Sequence, residues 1–180
     1  MSLFRKEYLT LLPVTMITSM AYATDYFTTE QAQKVLFPEA DTFVANPVTL
    51  TDEQKEKIEE IAKVRQRKKE VPAWRAEKKG KLLGWFIIDE VIGKHEFITY
   101  SVAISPEGKV LGLEIMSYRE TKGGQVRDSS WRKHFAGKTI SDPFKLDVDI
   151  PNISGATLSS RNITDGVKRL LSFHKIVLQK

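Results

Sequence analysis

The chain has 180 residues, of which 41% are hydrophobic and 28% are charged, the length and balance of one globular domain. Its formal net charge is only +5, and the densest basic run, residues 65–69, lacks the interleaved aromatics of a nucleic-acid groove, so we expect no nucleic-acid partner. Because the chain has no cysteine, disulfides, thiolate metal sites and iron–sulfur clusters are excluded.

The N-terminus contains the three parts of a secretory signal in order. Arg5 and Lys6 supply positive charge, residues 9–20 are apolar, and Ala21-Tyr22-Ala23 matches the A-x-A cleavage pattern. The apolar stretch is shorter than the ~20 residues that span a bilayer. We therefore predict a signal peptide over residues 1–23 and a periplasmic or other extracytoplasmic location. A buried first helix or an uncleaved anchor is the alternative.

Residues 24–70 are predicted to form an N-terminal helical segment. Two capping boxes, in which a Thr and a Gln three residues later cap each other's free amides, begin its helices: Thr28 with Gln31 and Thr51 with Gln54. They predict one helix over residues 28–37 and a charged surface helix over residues 51–69. Residues 41–50, between the two helices, allow a strand.

From Gly84 onward the pattern changes to short runs of aromatic and β-branched residues, which are typical of strands. These runs cover residues 85–89, 97–104 and 110–116. Pro106 and Gly108 lie between the last two runs and favour a tight turn. We predict an antiparallel hairpin or meander that forms the central sheet.

The C-terminal part is predicted to be mainly helical. Residues 118–128 are polar and predict a loop, and residues 130–135 allow a short helix. Apolar residues at helical spacing then predict a last helix that begins at Ser159 or Ser160 and docks on the sheet. This order of elements indicates an α+β domain, an antiparallel β-sheet packed with helices.

Few residue types in the chain offer chemistry of their own. His95, His134 and His174 fall in different predicted elements without metal-ligand spacing, so no metal site is predicted. The sequence contains no hydrolase elbow with its partners, no Walker A loop and no dinucleotide fingerprint. We therefore predict no catalytic residue and no stand-alone enzyme.

One segment remains as a candidate site: residues 154–160, here called the signature segment, directly before the last helix. Its small and hydroxyl-bearing residues are Ser154, Gly155, Ala156, Thr157, Ser159 and Ser160. A helix N-terminus presents free amides and the positive end of the helix dipole, which together favour a phosphate. Ser and Thr are equally common as helix caps, so the residue pattern leaves a cap and a phosphate site open.

The signature segment, Ser-Gly-Ala-Thr-Leu-Ser-Ser, closely resembles the S-G-A-T-x-[ST]-[ST] motif of the FMN-binding domain family. That family includes flavin-carrying subunits of the sodium-translocating NADH:quinone reductase and of Rnf-type complexes. In it, a flavin transferase that uses FAD as donor esterifies the Thr of S-G-A-T to the phosphate of FMN. The resemblance implies FMN as cofactor and Thr157 as the covalent link. Around it lie Ser154, Gly155, Ala156, Leu158, Ser159 and Ser160.

The resemblance extends over roughly residues 80–175. The family's E-T-x-G loop corresponds here to residues 120–123, and together with Gly124 it is called the glycine loop below. The resemblance implies a flavin ring that lies against Glu120, Thr121, Gly123 and Gly124. Trp131 belongs to a W-x-x-x-F pair and is a candidate stacking residue, although an aromatic of this kind is more often core. Many members have an Asp three residues before the signature Ser, where this chain has Pro151, with Asp149 two residues upstream.

The resemblance implies an FMN-binding domain over residues 71–180 of an exported flavoprotein. Such a protein would carry FMN covalently and exchange electrons with a membrane-bound reductase or cytochrome partner, after modification by a flavin transferase. Two alternatives stay open. One is a sensor or accessory domain that holds FMN noncovalently, and the other is a secreted interaction module in which the signature segment is only a helix cap.

Overall fold

The computed structural model describes residues 24–179, and its largest element is a six-stranded antiparallel sheet. The predicted signal peptide over residues 1–23 lies outside the described residues. In chain order the strands are β1 (Thr24–Asp25), β2 (Thr42–Ala45), β3 (Val48–Thr49), β4 (Glu70–Val71), β5 (Ala73–Lys78), β6 (Lys81–Ile92), β7 (Phe97–Ile104) and β8 (Val110–Tyr118). The main sheet has the order β1-β8-β7-β6-β5-β2, and β3 pairs separately with β4.

Helices lie on both faces of this sheet. The α-helices of the described residues are α1 (Thr29–Leu36), α2 (Asp52–Ala62), α3 (Ser129–Arg132) and α4 (Thr157–Phe173). Short 3-10 turns flank α3, and one π-helical turn, His174–Leu178, follows α4. An antiparallel sheet packed with helices, one of them at the C-terminus, confirms the predicted α+β class.

Successive side chains of the central strands point to opposite faces of the sheet, which divides the core into two parts. In β6, Trp85 and Ile87 face the larger core, to which α2 contributes Ile58 and α4 contributes Ile163. Phe86 faces the opposite way, into a smaller core beneath α1. Successive strand residues point to opposite faces, so a run that is apolar at every position is buried on both. α4 is thereby fixed to the face of the sheet opposite α1.

The predicted helix over residues 51–69 is too long. α2 ends at Ala62, and Lys63 follows it in the left-handed conformation with φ 58°. The basic run of residues 65–69 offers no apolar side chain that could continue the buried stripe. The run therefore lies in an irregular segment that leads into β4, and the expectation that it forms a helix face is wrong.

The sheet also begins earlier in the chain than the strand patterns indicated. β6 starts at Lys81, four residues before the predicted run, and β5 was not predicted. Residues 41–50 contain the expected strand, β2, which forms an edge of the main sheet beside β5. β1 pairs with β8 at the opposite edge. Residues 24–70 thus contribute strands to the sheet as well as α1 and α2.

Candidate functional site

The last helix begins inside the signature segment, earlier than predicted. Thr157 is the first residue of α4, and Ala156 is its N-cap residue. Gly155 turns the chain into the helix with φ +77°, and no heavy atom other than those of its chain neighbours lies near the position of a Cβ there. No side-chain hydrogen bond caps α4 among the described residues. The predicted start at Ser159 or Ser160 is therefore too late in the chain, and neither residue caps the helix.

An uncapped start leaves backbone donors available at the signature segment. The amide of Ser160 donates to the Ala156 carbonyl oxygen at 2.9 Å and is the first to enter the helical pattern. Helix geometry leaves the amides of Thr157, Leu158 and Ser159 without such a partner. These amides and the positive end of the helix dipole favour an anion beside Thr157.

The hydroxyls of Ser159 and Ser160 point into the protein and not toward this anion position. Ser160 is fully buried and its hydroxyl donates to the Ala156 carbonyl oxygen at 3.1 Å. Ser159 is also buried, with its Oγ 3.4 Å from the Tyr118 hydroxyl oxygen. Neither hydroxyl is placed to hold the oxygens of a phosphate beside Thr157, because the first turn of α4 buries both of them.

The glycine loop lies directly against the signature segment. A Cβ at Gly123, where φ is +84°, would stand 2.2 Å from the Ala156 Cβ and 2.8 Å from the Tyr118 hydroxyl oxygen. That hydroxyl donates to the Lys122 carbonyl oxygen at 2.5 Å and so holds the glycine loop in place. Only glycine permits this approach. The structure thus brings together two motifs that are about 30 residues apart in the chain.

An open hollow of about 580 Å³ separates the exposed parts of these two segments. Thr121, Gly123 and Gly124 line one side of it, and Ser154 and Gly155 line the other. The lining also includes the longer polar side chains of Lys122, Gln125, Arg127 and Asp128, so a ligand there would meet both main-chain and charged groups. That the five small residues bind the flavin stays a prediction.

Glu120, the first residue of the glycine loop, points elsewhere. Its Oε1 accepts hydrogen bonds from the backbone amides of the β6–β7 turn, namely those of Lys94, His95 (2.6 Å) and Glu96 (3.0 Å). Burial raises the pKa of the Glu120 carboxyl, but these amides outweigh burial and leave its pKa below the ordinary value. Glu120 therefore anchors the loop to the neighbouring turn, and it does not line the hollow.

Trp131 lies in the core beneath the signature segment. The residue is 5% exposed, and its ring packs edge-on against Phe135 with centroids 5.1 Å apart. Its indole N–H donates to the Pro151 carbonyl oxygen at 2.8 Å. Trp131 thus supports the chain that leads into the signature segment. It occupies a core position, which was the alternative to stacking on the flavin.

A second feature, which the sequence pattern did not reveal, is a cleft of about 320 Å³ beside Thr157. Its inner wall is α4, where Thr157 and Arg161 share one face because they are four residues apart. Its outer wall is the loop of residues 144–147. We call this the attachment cleft. Lys145 and Arg161 bring positive charge to the lining and Asp147 and Asp165 bring negative charge. The free amides and the dipole at the start of α4 therefore supply the net attraction for a phosphate.

Asp149 holds the outer wall of the attachment cleft in place. Its carboxylate pairs with the Lys138 ammonium at 2.8 Å and accepts hydrogen bonds from the amides of Phe144 (3.1 Å) and Lys145 (2.7 Å). These partners outweigh burial and hold the pKa of the Asp149 carboxyl below its usual value. The Asp149 carboxylate is thus turned toward Lys138 and the backbone of residues 144 and 145.

Residues 93–172 match the family described as FMN-binding domain. One subunit of a proton-translocating ferredoxin:NAD(+) oxidoreductase complex from Clostridium ljungdahlii is 32% identical over 103 residues, covering 53% of this chain and 56% of the relative. One subunit of an ion-translocating oxidoreductase complex from Stutzerimonas stutzeri is 28% identical over 114 residues, covering 57% of this chain and 50% of the relative. The chain spans about half the length of these curated relatives.

The fold is similar to two crystal structures. NqrC of Shewanella oneidensis aligns with a TM-score of 0.55 and 16% identity, over 79% of this chain and 87% of that one. The corresponding subunit of the Na(+)-translocating NADH-quinone reductase from Parabacteroides distasonis aligns with a TM-score of 0.51 and 14% identity, over 77% and 79%. Within residues 24–179, no helix combines the length and apolar character needed to cross a membrane.

Proposed function

Because residues 93–172 form a domain of the FMN-binding family, we propose that this chain is the FMN-carrying, electron-transfer subunit of a membrane-associated ion-translocating oxidoreductase complex. The two curated relatives are subunits of complexes with such names, which supports the proposal. When bound, FMN supplies one-electron and two-electron redox chemistry, and the protein supplies its position and surroundings.

The single observation that carries this proposal is the uncapped start of α4 at Thr157. Amides at positions 157–159 and the Arg161 side chain form a donor set suited to a phosphate. Gly123 packs so closely on Ala156 that no side chain fits between the two loops. Thr121 and Gly124 border the open hollow beside this contact, and Ser154 and Gly155 border it from the signature segment.

We further infer that Thr157 is the residue to which FMN is linked. Its side chain is partly exposed at the attachment cleft, unlike the buried hydroxyls of Ser159 and Ser160. A flavin transferase would join the Thr157 oxygen to the phosphorus next to riboflavin in FAD. AMP would leave from that phosphorus, and the threonine proton would be released. A phosphoester at this position places its negative charge at the free amides of α4.

The proposed location is the extracytoplasmic side of the membrane, with a membrane-bound reductase or cytochrome as electron partner. The export pattern of residues 1–23 and the membrane complexes named for both relatives support it. A covalent link suits this location because a dissociating cofactor would be lost from the cell surface or periplasm.

The test is co-expression of the chain with a flavin transferase, followed by denaturation, mass spectrometry and in-gel flavin fluorescence. We expect a mass gain of one FMN minus water on the wild-type chain and none on Thr157→Ala. Thr157→Ser is the matched variant, because it keeps a hydroxyl at the helix start, and we expect it to retain the adduct.

Two results would contradict covalent attachment. An undiminished adduct on Thr157→Ala would move the link to another residue. A flavin that copurifies with the wild-type chain but is released on denaturation would support the noncovalent sensor or accessory domain instead. Circular dichroism of each variant separates loss of the attachment residue from loss of the fold.

A further inference from the structure

The open hollow between the glycine loop and the signature segment has a cation at its rim. Arg127 lines this hollow, and the other charged side chains of the lining are Lys122 and Asp128. Two positive charges against one negative charge leave an excess of +1. None of the ion pairs within residues 24–179 involves Arg127. A bound group that gains negative charge there would therefore meet a guanidinium that is not already paired with a carboxylate of the described residues.

Several contacts hold the Arg127 side chain against the glycine loop. Its Nε donates to the Gly124 carbonyl oxygen at 3.2 Å, and its Nη2 lies 3.1 Å from the position that a Cβ at Gly124 would take. The Arg127 carbonyl oxygen accepts a hydrogen bond at 2.8 Å from Nε of Arg132, whose Nη1 pairs with Glu114 of β8. The positive charge is thus placed in advance, so little side-chain entropy is lost when a bound group meets it.

The Arg127 guanidinium also lies over an aromatic ring from the N-terminal part of the chain. Its Cζ is 4.4 Å from the centroid of the Tyr26 ring, a distance at which a cation is attracted to the face of the ring. Tyr26 directly follows β1, and its amide donates to the Met116 carbonyl oxygen of β8 at 2.8 Å. Tyr26 lies outside the family match over residues 93–172, so a segment beyond that match contributes to the rim of the hollow.

The Arg127 charge acts on a neighbouring group of the same site, the Tyr118 hydroxyl that holds the glycine loop. Burial raises the pKa of Tyr118 above its ordinary value, and the hydrogen bond with Ser159 and the nearby Arg127 charge partly offset burial. The Arg127 guanidinium is therefore close enough to stabilise negative charge at the glycine loop.

We propose that Arg127, positioned by Tyr26, raises the reduction potential of the flavin at the open hollow. The inference rests on the proposed function, because it concerns the FMN that this chain would carry. Reduction of the isoalloxazine ring adds two electrons from the electron partner and one proton from water, which leaves one negative charge on the ring. A positive charge fixed at the hollow favours this anion over the neutral oxidised ring. Tyr26 is a positioning residue, since it acts through Arg127.

The first measurement needs no flavin and tests the arrangement of the two side chains. In NMR spectra of the unmodified full chain, the ring current of Tyr26 should shift the protons on Cδ of Arg127 upfield. Tyr26→Leu should abolish this shift, whereas Tyr26→Phe, which keeps an aromatic ring, should retain it. Absence of the shift in the folded wild-type chain would overturn the role of Tyr26.

The second measurement is a redox titration of the flavinylated full chain at mildly alkaline pH and low salt, where the reduced ring holds its negative charge. Arg127→Gln should lower the equilibrium constant for two-electron reduction at least about fivefold, a fall of about 20 mV in potential. Arg127→Lys keeps the charge and should keep most of the potential, and Tyr26→Leu should cause a smaller fall. Because Arg127 is exposed, the effect of Arg127→Gln should shrink at high salt.

Arg75→Gln is the matched control, because it removes the same charge from a distant part of the sheet. Arg75 lies on β5, and the strand registers place it level with Val110, at the end of β8 opposite the glycine loop. We expect its flavin potential to equal that of the wild-type chain.

An unchanged potential in folded Arg127→Gln, or an equal fall in Arg75→Gln, overturns this inference while FMN attachment to Thr157 stands. If no FMN attaches to Thr157, the covalent link fails, and the variants are titrated with free FMN in its oxidised and reduced forms. Arg127→Gln should then weaken binding of the reduced form more than binding of the oxidised form. Equal weakening of both forms, or no binding of FMN to the folded wild-type chain, overturns the inference as well.

Discussion

The helices α1 and α2 begin in a different way from α4. At α1 and α2, a Thr and a Gln form complete capping boxes, with the Thr28 amide donating to Gln31 Oε1 at 2.9 Å and the Thr51 amide donating to Gln54 Oε1 at 2.9 Å. At α4, Ala156 occupies the N-cap position and no side chain of the described residues caps the helix. The end that is richest in Ser and Thr is thus the one whose amides stay free.

This difference separates helix ends that serve the fold from the end that we assign to the cofactor. At the starts of α1 and α2, side chains of the same helix accept hydrogen bonds from the free amides, so these amides do not require a ligand or another segment as acceptor. The start of α4 instead lies between two loops. The glycine loop contacts it through Gly123, and residues 144–147, which Asp149 fixes, form the facing wall of the attachment cleft. Variants of these supports and caps test whether the two kinds of helix start behave differently.

The largest effect is expected when the outer loop loses its anchor. Asp149→Ala leaves the Lys138 ammonium unpaired, and because both side chains are nearly buried we expect a loss of about 4 kcal/mol in unfolding free energy. The yield of FMN adduct should fall as the attachment cleft loses its wall. Chemical denaturation and adduct mass measure the two effects. Asp52→Ala is the control: it breaks an exposed pair with Lys69 and should change neither the unfolding free energy nor the adduct yield. An equal loss of unfolding free energy in both variants would refute this role of Asp149.

The glycine loop should show the next largest effect. Gly123→Ala forces a Cβ into Ala156 at a positive φ, and we expect a loss of about 3 kcal/mol, with a several-fold lower adduct yield. Gly137→Ala is the control, since Gly137 has φ +82° but open space around its Cβ position. It should lose only the ~1 kcal/mol that the backbone conformation costs. Similar losses in the two variants would show that the contact with Ala156 is unimportant.

A smaller effect is expected at a capped helix start. Thr28→Ala removes the acceptor for the Gln31 amide and should lower the unfolding free energy by about 1 kcal/mol, while the adduct yield stays unchanged. Thr29→Ala, at the next position and outside the capping box, should be close to neutral. If Thr28→Ala reduced flavinylation as much as Gly123→Ala, the distinction between the two kinds of helix start would not hold.

The smallest effect concerns the far end of α4. His174 is fully buried, and both ring nitrogens lack partners among the described residues. Burial lowers its pKa, which the nearby Glu107 carboxylate only partly offsets. As the pH falls, the His174 imidazole is therefore protonated at a higher pH in the unfolded chain than in the folded chain. The unfolding free energy consequently decreases as the pH falls below about 6.5.

Between pH 7 and pH 6 this group should account for a loss of no more than about 0.7 kcal/mol in unfolding free energy. Urea unfolding at the two pH values measures it. His174→Leu should reduce the pH dependence, whereas His134→Gln, at an exposed position, should leave it nearly unchanged. A pH dependence that is the same in wild type and His174→Leu would contradict this assignment.

Several features of the fold could be predicted because local sequence controls them. The capping boxes placed the starts of α1 and α2, and the aromatic and β-branched runs located β7 and most of β8. The end of α2 was missed because charge alone does not stop a helix. It ends where the apolar stripe stops and Lys63 adopts the left-handed conformation.

The candidate site was only partly predictable. The small residues at positions 154–157 signalled an approachable backbone, and the glycine loop was correctly linked to them through the family resemblance. The direction of the Glu120 side chain depends on a turn more than 20 residues away. The outer wall of the attachment cleft depends likewise on the Lys138–Asp149 pair, which no local pattern indicates.

The sequence by itself determined the α+β class, the helix starts that carry capping boxes, and the segment around Thr157 as the candidate site. These follow from interactions between residues that are close in the chain. Only the tertiary structure decided that Ser159 and Ser160 face the core and that Gly123 meets Ala156. It also decided that Thr157 opens into a cleft beside Arg161. Those outcomes depend on how α4 packs against α2, β6 and the glycine loop, and periodicity along one segment does not contain that information.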